Sequence, residues 1–305
     1  MKIKFYLISI IVLFFGSCSK DGPYTLAIKS FPHRTNDFTL WQLEQFNGIS
    51  QMGYILRTDD NKVIVVDGGY KESSTLVNDY IVQLGGTVHY WILTHPHKDH
   101  AGVLNQVLSN TSNIQIQSIV HTRIDLEVIK KHESGSYEYV KDFYSVLYTS
   151  GVPLLDVTNG ENIDLGEGVV MKVLGVRNPG IVANLVNNSS LVFQIASKSK
   201  TVLFTGDLGV EGGDKVLINN DLSTLRSTHV QMAHHGQDGV SKDFYAAVNA
   251  EIALWPTPRW LWENDLDAKG FNTGPWKTLI VKNWMNDLNI AQNIVAGLEG
   301  TSQID

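Results

Sequence analysis

Thr94-His95-Pro96-His97-Lys98-Asp99-His100-Ala101-Gly102 is the stretch on which the reading of this chain turns. It follows the apolar run Val88 to Leu93, which has the character of a buried strand, and precedes a helical pattern from about Ala101 to Leu108. Three imidazoles and a carboxylate thus leave one strand end within six residues. Alternate side chains of an extended segment share a side, so His95 and His97 can face one cation. Where the chain turns toward the helix, Asp99 and His100 can serve a second ion. Two divalent ions roughly 3.5–4 Å apart form the arrangement that holds a bridging hydroxide and clamps a displaced oxygen. A core made for packing would not gather four such groups, because each costs desolvation unless paired or coordinated.

Outward from this segment, short apolar strands alternate with helical stretches from about Leu26 to the end, with no convincing linker. Val63-Ile64-Val65-Val66 is a β-branched run that ends at Asp67-Gly68-Gly69. Ser73 and Ser74 can cap a helix through Leu84, closed by Gly85-Gly86. Further helices are expected over Tyr137 to Thr149 and around Trp276 to Asp287, and a hairpin is expected to close the chain. Strands and helices mixed throughout argue for one layered α/β (α+β) domain over 26–305. The length of 305 residues suits that, and 43% hydrophobic residues exclude a disordered chain. A single cysteine excludes a disulfide scaffold. A net charge of −7, with no basic stretch, lends no support to a polyanion-binding surface, so nucleic acid is not a favoured partner.

The lone cysteine has its own context. Lys2 and Lys4 precede an apolar run from Phe5 to Phe15, too short to span a bilayer and shaped like a secretory signal. Leu13-Phe14-Phe15-Gly16-Ser17-Cys18 resembles the lipobox of bacterial lipoproteins. That resemblance implies a signal peptide over 1–17, a lipid on Cys18, and a lipidated N-terminus and tether over 18–25. The expected product is exported and anchored to a membrane through Cys18, facing the periplasm or the cell exterior.

The segment from Thr94 to Gly102 resembles the T-H-x-H-x-D-H signature of the metallo-β-lactamase superfamily, and other motifs match in order. Val65-Val66-Asp67-Gly68-Gly69 resembles its first motif, Phe204-Thr205-Gly206-Asp207 its bridging-aspartate motif, and Ala233-His234-His235-Gly236 its last histidine motif. The resemblance implies a four-layer αββα sandwich. It also implies that His95 and His97 hold a first metal, Asp99 and His100 a second, and that Asp207 bridges. Adjacent histidines on an extended strand point to opposite sides, so one of His234 and His235 is expected to ligate and the other to meet substrate. His234 is favoured as the ligand, with His235 joining Asp99 and Asp207 as catalytic residues. Asp67 is expected to hydrogen-bond a ligand imidazole or the metal-loop backbone.

Asn187-Asn188-Ser189-Ser190-Leu191 narrows the resemblance to the branch that includes ComEC-type extracytoplasmic domains and bacterial phosphorylcholine esterases. There the third histidine of the first site is commonly missing and an N-x-x-S-L segment lies in the region; Asn187 and Ser190 match that spacing. Where the branch usually has lysine before the H-H-G and serine after it, this chain has Gln231 and Gln237. His121, at a strand end, is read as a solvated histidine rather than the missing ligand. Lys130-Lys131-His132-Glu133 is read as a solvated charged run. Trp255 to Trp262, with two prolines and an arginine, is read as a loop in which Trp260 could form a substrate wall or a cage for a quaternary ammonium.

The expected function is an exported hydrolase with two divalent ions, zinc or alternatively manganese. It would cleave phosphodiester-type bonds of small or envelope-derived molecules by a metal-bound hydroxide. The competing readings are a β-lactam or lactone hydrolase and a non-catalytic, lipid-anchored binding protein on the same fold.

Overall fold

Val63-Ile64-Val65-Val66 is buried on both faces, and its alternation assigns the layers. Ile64 and Val66 join one apolar cluster while Val63 and Val65 join another. The computed structural model describes residues 22–29, 37–110 and 113–304. The expected signal peptide and Cys18 lie outside the described residues. Within the expected tether, the backbone N–H of Tyr24 already donates to Asp79, and Leu26, just beyond it, is buried in the core.

Two seven-stranded mixed sheets face each other. The first runs, in spatial order, Ser302–Ile304, Phe38–Gln42, Gly53–Thr58, Val63–Asp67, Tyr90–Ile92, Ile119–His121 and Leu154–Asp156. The second runs Gln292–Val295, Ile252–Trp255, His229–Gln231, Thr201–Phe204, Val192–Ala196, Val169–Gly175 and Asn162–Gly166. Between them lies a core that includes Tyr54, Ile64, Ile92, Met171, Phe193 and Phe204. The outer face of the first sheet packs Val65 and Trp91 against helices Ser74–Gln83, Lys98–Ser109 and Ser134–Thr149. The outer face of the second packs Leu203, Val230 and Trp255 against Val210–Asn219, Lys242–Val248 and Thr278–Asp287. The order helix, sheet, sheet, helix is the expected αββα sandwich.

Two expectations change. The helix after the histidine segment begins at Lys98, because His97 is extended and its carbonyl accepts from Ala101 N at 2.8 Å, which places Asp99 and His100 in the first turn. The chain also does not close with a hairpin. Gln292–Val295 pairs in parallel with Ile252–Trp255 in the second sheet, and Ser302–Ile304 pairs antiparallel with Phe38–Gln42 in the first. Both terminal strands occupy sheet edges, so the segment completes two ladders instead of one. Among the described residues, no helix is long and apolar enough to cross a membrane.

The parallel strands Val63–Asp67, Tyr90–Ile92, Thr201–Phe204 and His229–Gln231 each end in one of the polar motifs. Groups at the carboxyl ends of such strands are free to converge in the crevice beyond the sheets.

Candidate metal centre

Asp67 ends its strand with a left-handed φ of 56°, which turns its side chain back over the neighbouring strand end. Fully buried, it accepts from Thr94 N at 2.8 Å, from Thr94 Oγ1 at 2.8 Å and pairs with His100 Nδ1 at 2.7 Å. The 94–100 loop and the orientation of one imidazole are thus set by a single carboxylate. That contact aims His100 Nε2 inward, where it has no hydrogen-bond partner among the described residues.

Asp207 is the hub. Its Oδ2 lies 3.3 Å from His100 Nε2, 3.5 Å from His235 Nε2, 3.9 Å from His95 Nε2 and 3.9 Å from His234 Nε2. Its Oδ1 is buried without a partner among the described residues. Asp99 Oδ2 approaches His235 Nε2 at 3.1 Å and His100 Nε2 at 3.7 Å. Ligand atoms of Asp99, His100, Asp207 and His235 all lie within 4.8 Å of one another. On the other side, His95 Nε2 and His97 Nδ1 meet at 3.1 Å. The Asp207 backbone N–H donates to Ser190 Oγ at 3.1 Å, and Ser190 Oγ lies 3.5 Å from His95 Nδ1. Asn187 Nδ2 lies 3.4 Å from His234 Nε2.

The electrostatics are those of a charge-balanced cluster. Burial opposes the charged form of His100, but Asp207, Asp99 and Asp67 hold its pKa well above the ordinary imidazole range. Burial likewise opposes the charge on His235, and Asp207 and Asp99 nevertheless push it up to about 10. Asp99 and Asp207 are penalised by burial yet held below the usual carboxylate range, chiefly by His100 and also by His235. Burial and the neighbouring His100 depress His95. Orphaned, buried His100 Nε2 and Asp207 Oδ1, beside Asp99 and His235, are the donor set that suits a divalent cation.

His234 and His235 have different surroundings. Neither is extended: both have left-handed backbones, φ 50° and 55°, and the rings diverge with centroids 6.2 Å apart. His235 is buried and anchored through Nδ1 on the Pro256 carbonyl at 2.9 Å, leaving Nε2 facing the carboxylates. His234 is partly exposed, between Asn187 and Gln237. The turn that separates them needs Gly236, since a Cβ there would lie 2.2 Å from the Trp255 ring.

Other placements differ from expectation. Gln231 is fully buried; it accepts from Thr205 N at 2.7 Å and donates to the Gly206 carbonyl, bracing the Asp207 turn. His121 is buried, not solvated, because Tyr148 and the Leu154–Asp156 strand cover it; it does not join the cluster. The loop expected over 255–262 contains a strand end and the short helix Arg259–Trp262. Trp260 donates to the Gly48 carbonyl at 2.9 Å and packs on Trp276, while Trp262 packs on Trp255 and carries Lys282 over its face.

One residue at the site escaped the sequence reading. Glu133, taken as part of a solvated run, meets His97 Nε2 at 3.1 Å and accepts from Ser136 Oγ at 2.7 Å and Val186 N at 3.0 Å. Its signal in sequence was only a break between two helices, Leu126–His132 and Ser134–Thr149.

A family model described as the metallo-beta-lactamase superfamily matches residues 48–230. Uncharacterized protein YobT of Bacillus subtilis strain 168 is 23% identical over 146 residues, covering 47% of this chain and 58% of YobT, so the match spans less than two thirds of that relative. The metallo-beta-lactamase fold protein YhfI from Bacillus subtilis superposes with a TM-score of 0.54 at 12% identity, covering 88% of this chain and 100% of its own. Unliganded yeast PDE1 does so with a TM-score of 0.50 at 12% identity, covering 87% of this chain and 99% of its own. At such identities the two structures speak to the fold alone. With the family model spanning Asp67 to Asp207 and the Asp/His cluster at the sheet ends, the chain belongs to the metallo-beta-lactamase superfamily, whose members are generally metal-dependent hydrolases.

Proposed function

We propose that this protein is a metal-dependent phosphoesterase acting on phosphodiester-type substrates, exported and held at a membrane by a lipid on Cys18. The observation that carries the catalytic reading is Asp207 Oδ2 within 4 Å of four imidazole nitrogens drawn from both histidine motifs. His95 and His97 with Asp207 form one donor set, and Asp99, His100 and His235 with Asp207 form the other. Two divalent ions, zinc or alternatively manganese, would supply Lewis acidity toward phosphoryl oxygens and a water of lowered pKa.

The chain's own residues do the rest. Asp67 and Glu133 each hold a histidine by its remaining nitrogen, so that the other faces the centre. Asn187 and His234 stand side by side at the more open side, where a substrate would meet an amide and an imidazole whose Nδ1 is already engaged by the Asp238 carbonyl. The phosphoester class rests on the N-x-x-S-L branch resemblance together with the position of Asn187 and Ser190 beside His234, His95 and Asp207.

The test is turnover of bis-p-nitrophenyl phosphate by the protein loaded with zinc or manganese, lost on chelation and restored by metal. Inertness of the metal-loaded protein toward a panel of phosphomonoesters and phosphodiesters sinks the reading, and nitrocefin turnover would replace it with the β-lactam one. Membrane partitioning that persists in Cys18→Ala refutes the anchor.

A further inference from the structure

Beside the metal centre lies a second concavity of about 430 Å³, formed where three segments converge. Tyr70 and Lys71 come from the loop after the first motif, Lys98 stands between His97 and Asp99, and Tyr139 comes from the helix Ser134–Thr149. The walls are held close. A Cβ at Gly102 would lie 2.5 Å from Lys71 N, and Val103 N donates to the Gly69 carbonyl at 3.0 Å, so helix and loop are in backbone contact. The Lys98 ammonium sits 5.5 Å from the centroid of the Tyr139 ring. The Tyr139 hydroxyl is buried with no hydrogen-bond partner among the described residues, which is costly unless a ligand or water completes it.

We infer that this cavity is a subsite for an anionic substituent of the substrate, carried next to the scissile phosphoester and held by Lys98 and the Tyr139 hydroxyl, with Lys71 and Tyr70 alongside. The inference rests on the phosphoester reading of the adjoining centre. Neither Lys71 nor Lys98 forms an ion pair among the described residues, and the lining holds one acidic residue, Glu72. Two cations disfavour a quaternary ammonium group despite the aromatic rings. Both phenols remain donors. Burial, then Asp99, Glu72 and Asp207, push Tyr70 up to about 12, and burial followed by Asp99 and Tyr70 raises Tyr139. Lys98, between His97 and Asp99 in the chain, places the cavity next to the metal ligands.

The experiment compares phenylphosphonate with 4-phosphonobenzoate, which differ by one carboxylate, binding to the zinc-loaded protein by calorimetry. The expected result is about tenfold tighter binding of 4-phosphonobenzoate, as one charge-assisted hydrogen bond would give. Lys98→Gln and Tyr139→Phe should each reduce that ratio and the double variant bring it near one, at unchanged melting temperature. No binding of 4-phosphonobenzoate, equal binding of the two probes, or a ratio unchanged in the double variant overturns the subsite. Turnover of bis-p-nitrophenyl phosphate is followed in parallel. A ratio present without turnover of any phosphoester overturns the phosphoesterase reading and leaves an anion subsite. Turnover without the ratio removes the subsite alone.

Discussion

Glu133 Oε1 lies 3.1 Å from His97 Nε2, on the side of the ring away from the nitrogen that meets His95. The same carboxylate accepts from Val186 N, one residue before Asn187, so one side chain sets both an imidazole and the entry to the N-x-x-S-L segment. A carboxylate behind a ligating histidine fixes its tautomer and raises its basicity. Glu133→Ala is therefore expected to weaken metal affinity about 10–100-fold. Competition with a chromophoric chelator measures this. Affinity equal to the parent's would show that His97 needs no such support.

His235 and His234 should behave differently although they are adjacent. Loss of the buried His235 removes a member of the four-group cluster, whereas His234 stands beside it, partly exposed. His235→Ala should lower bound metal toward one equivalent, and His234→Ala should keep the metal content while reducing turnover. Elemental analysis of both purified variants decides the matter, and the opposite pattern would return ligation to His234.

Asp67 is a stability residue as much as a positioning one. Replacing it by alanine leaves Thr94 N, Thr94 Oγ1 and His100 Nδ1 without their buried acceptor. Three orphaned buried groups at ~1–3 kcal/mol each amount to about 3–9 kcal/mol, so Asp67→Ala should lose at least about 3 kcal/mol or fail to fold. Urea denaturation of the metal-free protein provides the figure, and a loss below about 1 kcal/mol would contradict the network.

Gly236→Ala combines a backbone φ of 77° with a Cβ 2.2 Å from the Trp255 ring. The left-handed conformation costs an L-residue ~1–2 kcal/mol and overpacking ~1–3 kcal/mol, for a total of about 2–5 kcal/mol. Thermal melts should show this, with metal binding weakened because His235 moves with the turn.

Asp37 bears on acid stability, far from the cluster. Burial penalises its carboxylate, but hydrogen bonds from Ser199, from the Phe38 backbone and from Ser197, with Lys200 nearby, hold its pKa below the ordinary value. A carboxyl depressed in the folded state contributes stability that is fully present above the unfolded pKa of about 3.9 and lost as pH falls through the lower folded value. Asp37→Asn should thus be less stable than the parent at pH 7, with the gap narrowing below about pH 4. Denaturant melts from pH 3 to 7 test it; a gap independent of pH would mean the charge is irrelevant.

The layered α/β domain and the polar motifs at strand ends were legible because they are local, and the αββα order followed from the family those motifs resemble. Val63 to Val66 is apolar on both faces, so it must be covered twice, and four acid or imidazole groups in six residues have no packing explanation. Side chains that depend on backbone reversal or on distant partners were not legible. Alternation along an extended strand could not assign His234 and His235, because both adopt left-handed backbones. Glu133 looked like surface charge because its partners, His97 and Val186, are 36 and 53 residues away. Gln231 stands where the resembled branch usually has lysine, and only the fold shows it buried and bonded to Thr205 and Gly206. Residue identity and period thus determined the layers and the inventory of donors. Only the packing of two sheets and their loops decided which nitrogen faces which carboxylate, since that depends on φ, ψ and neighbours that no local stretch encodes.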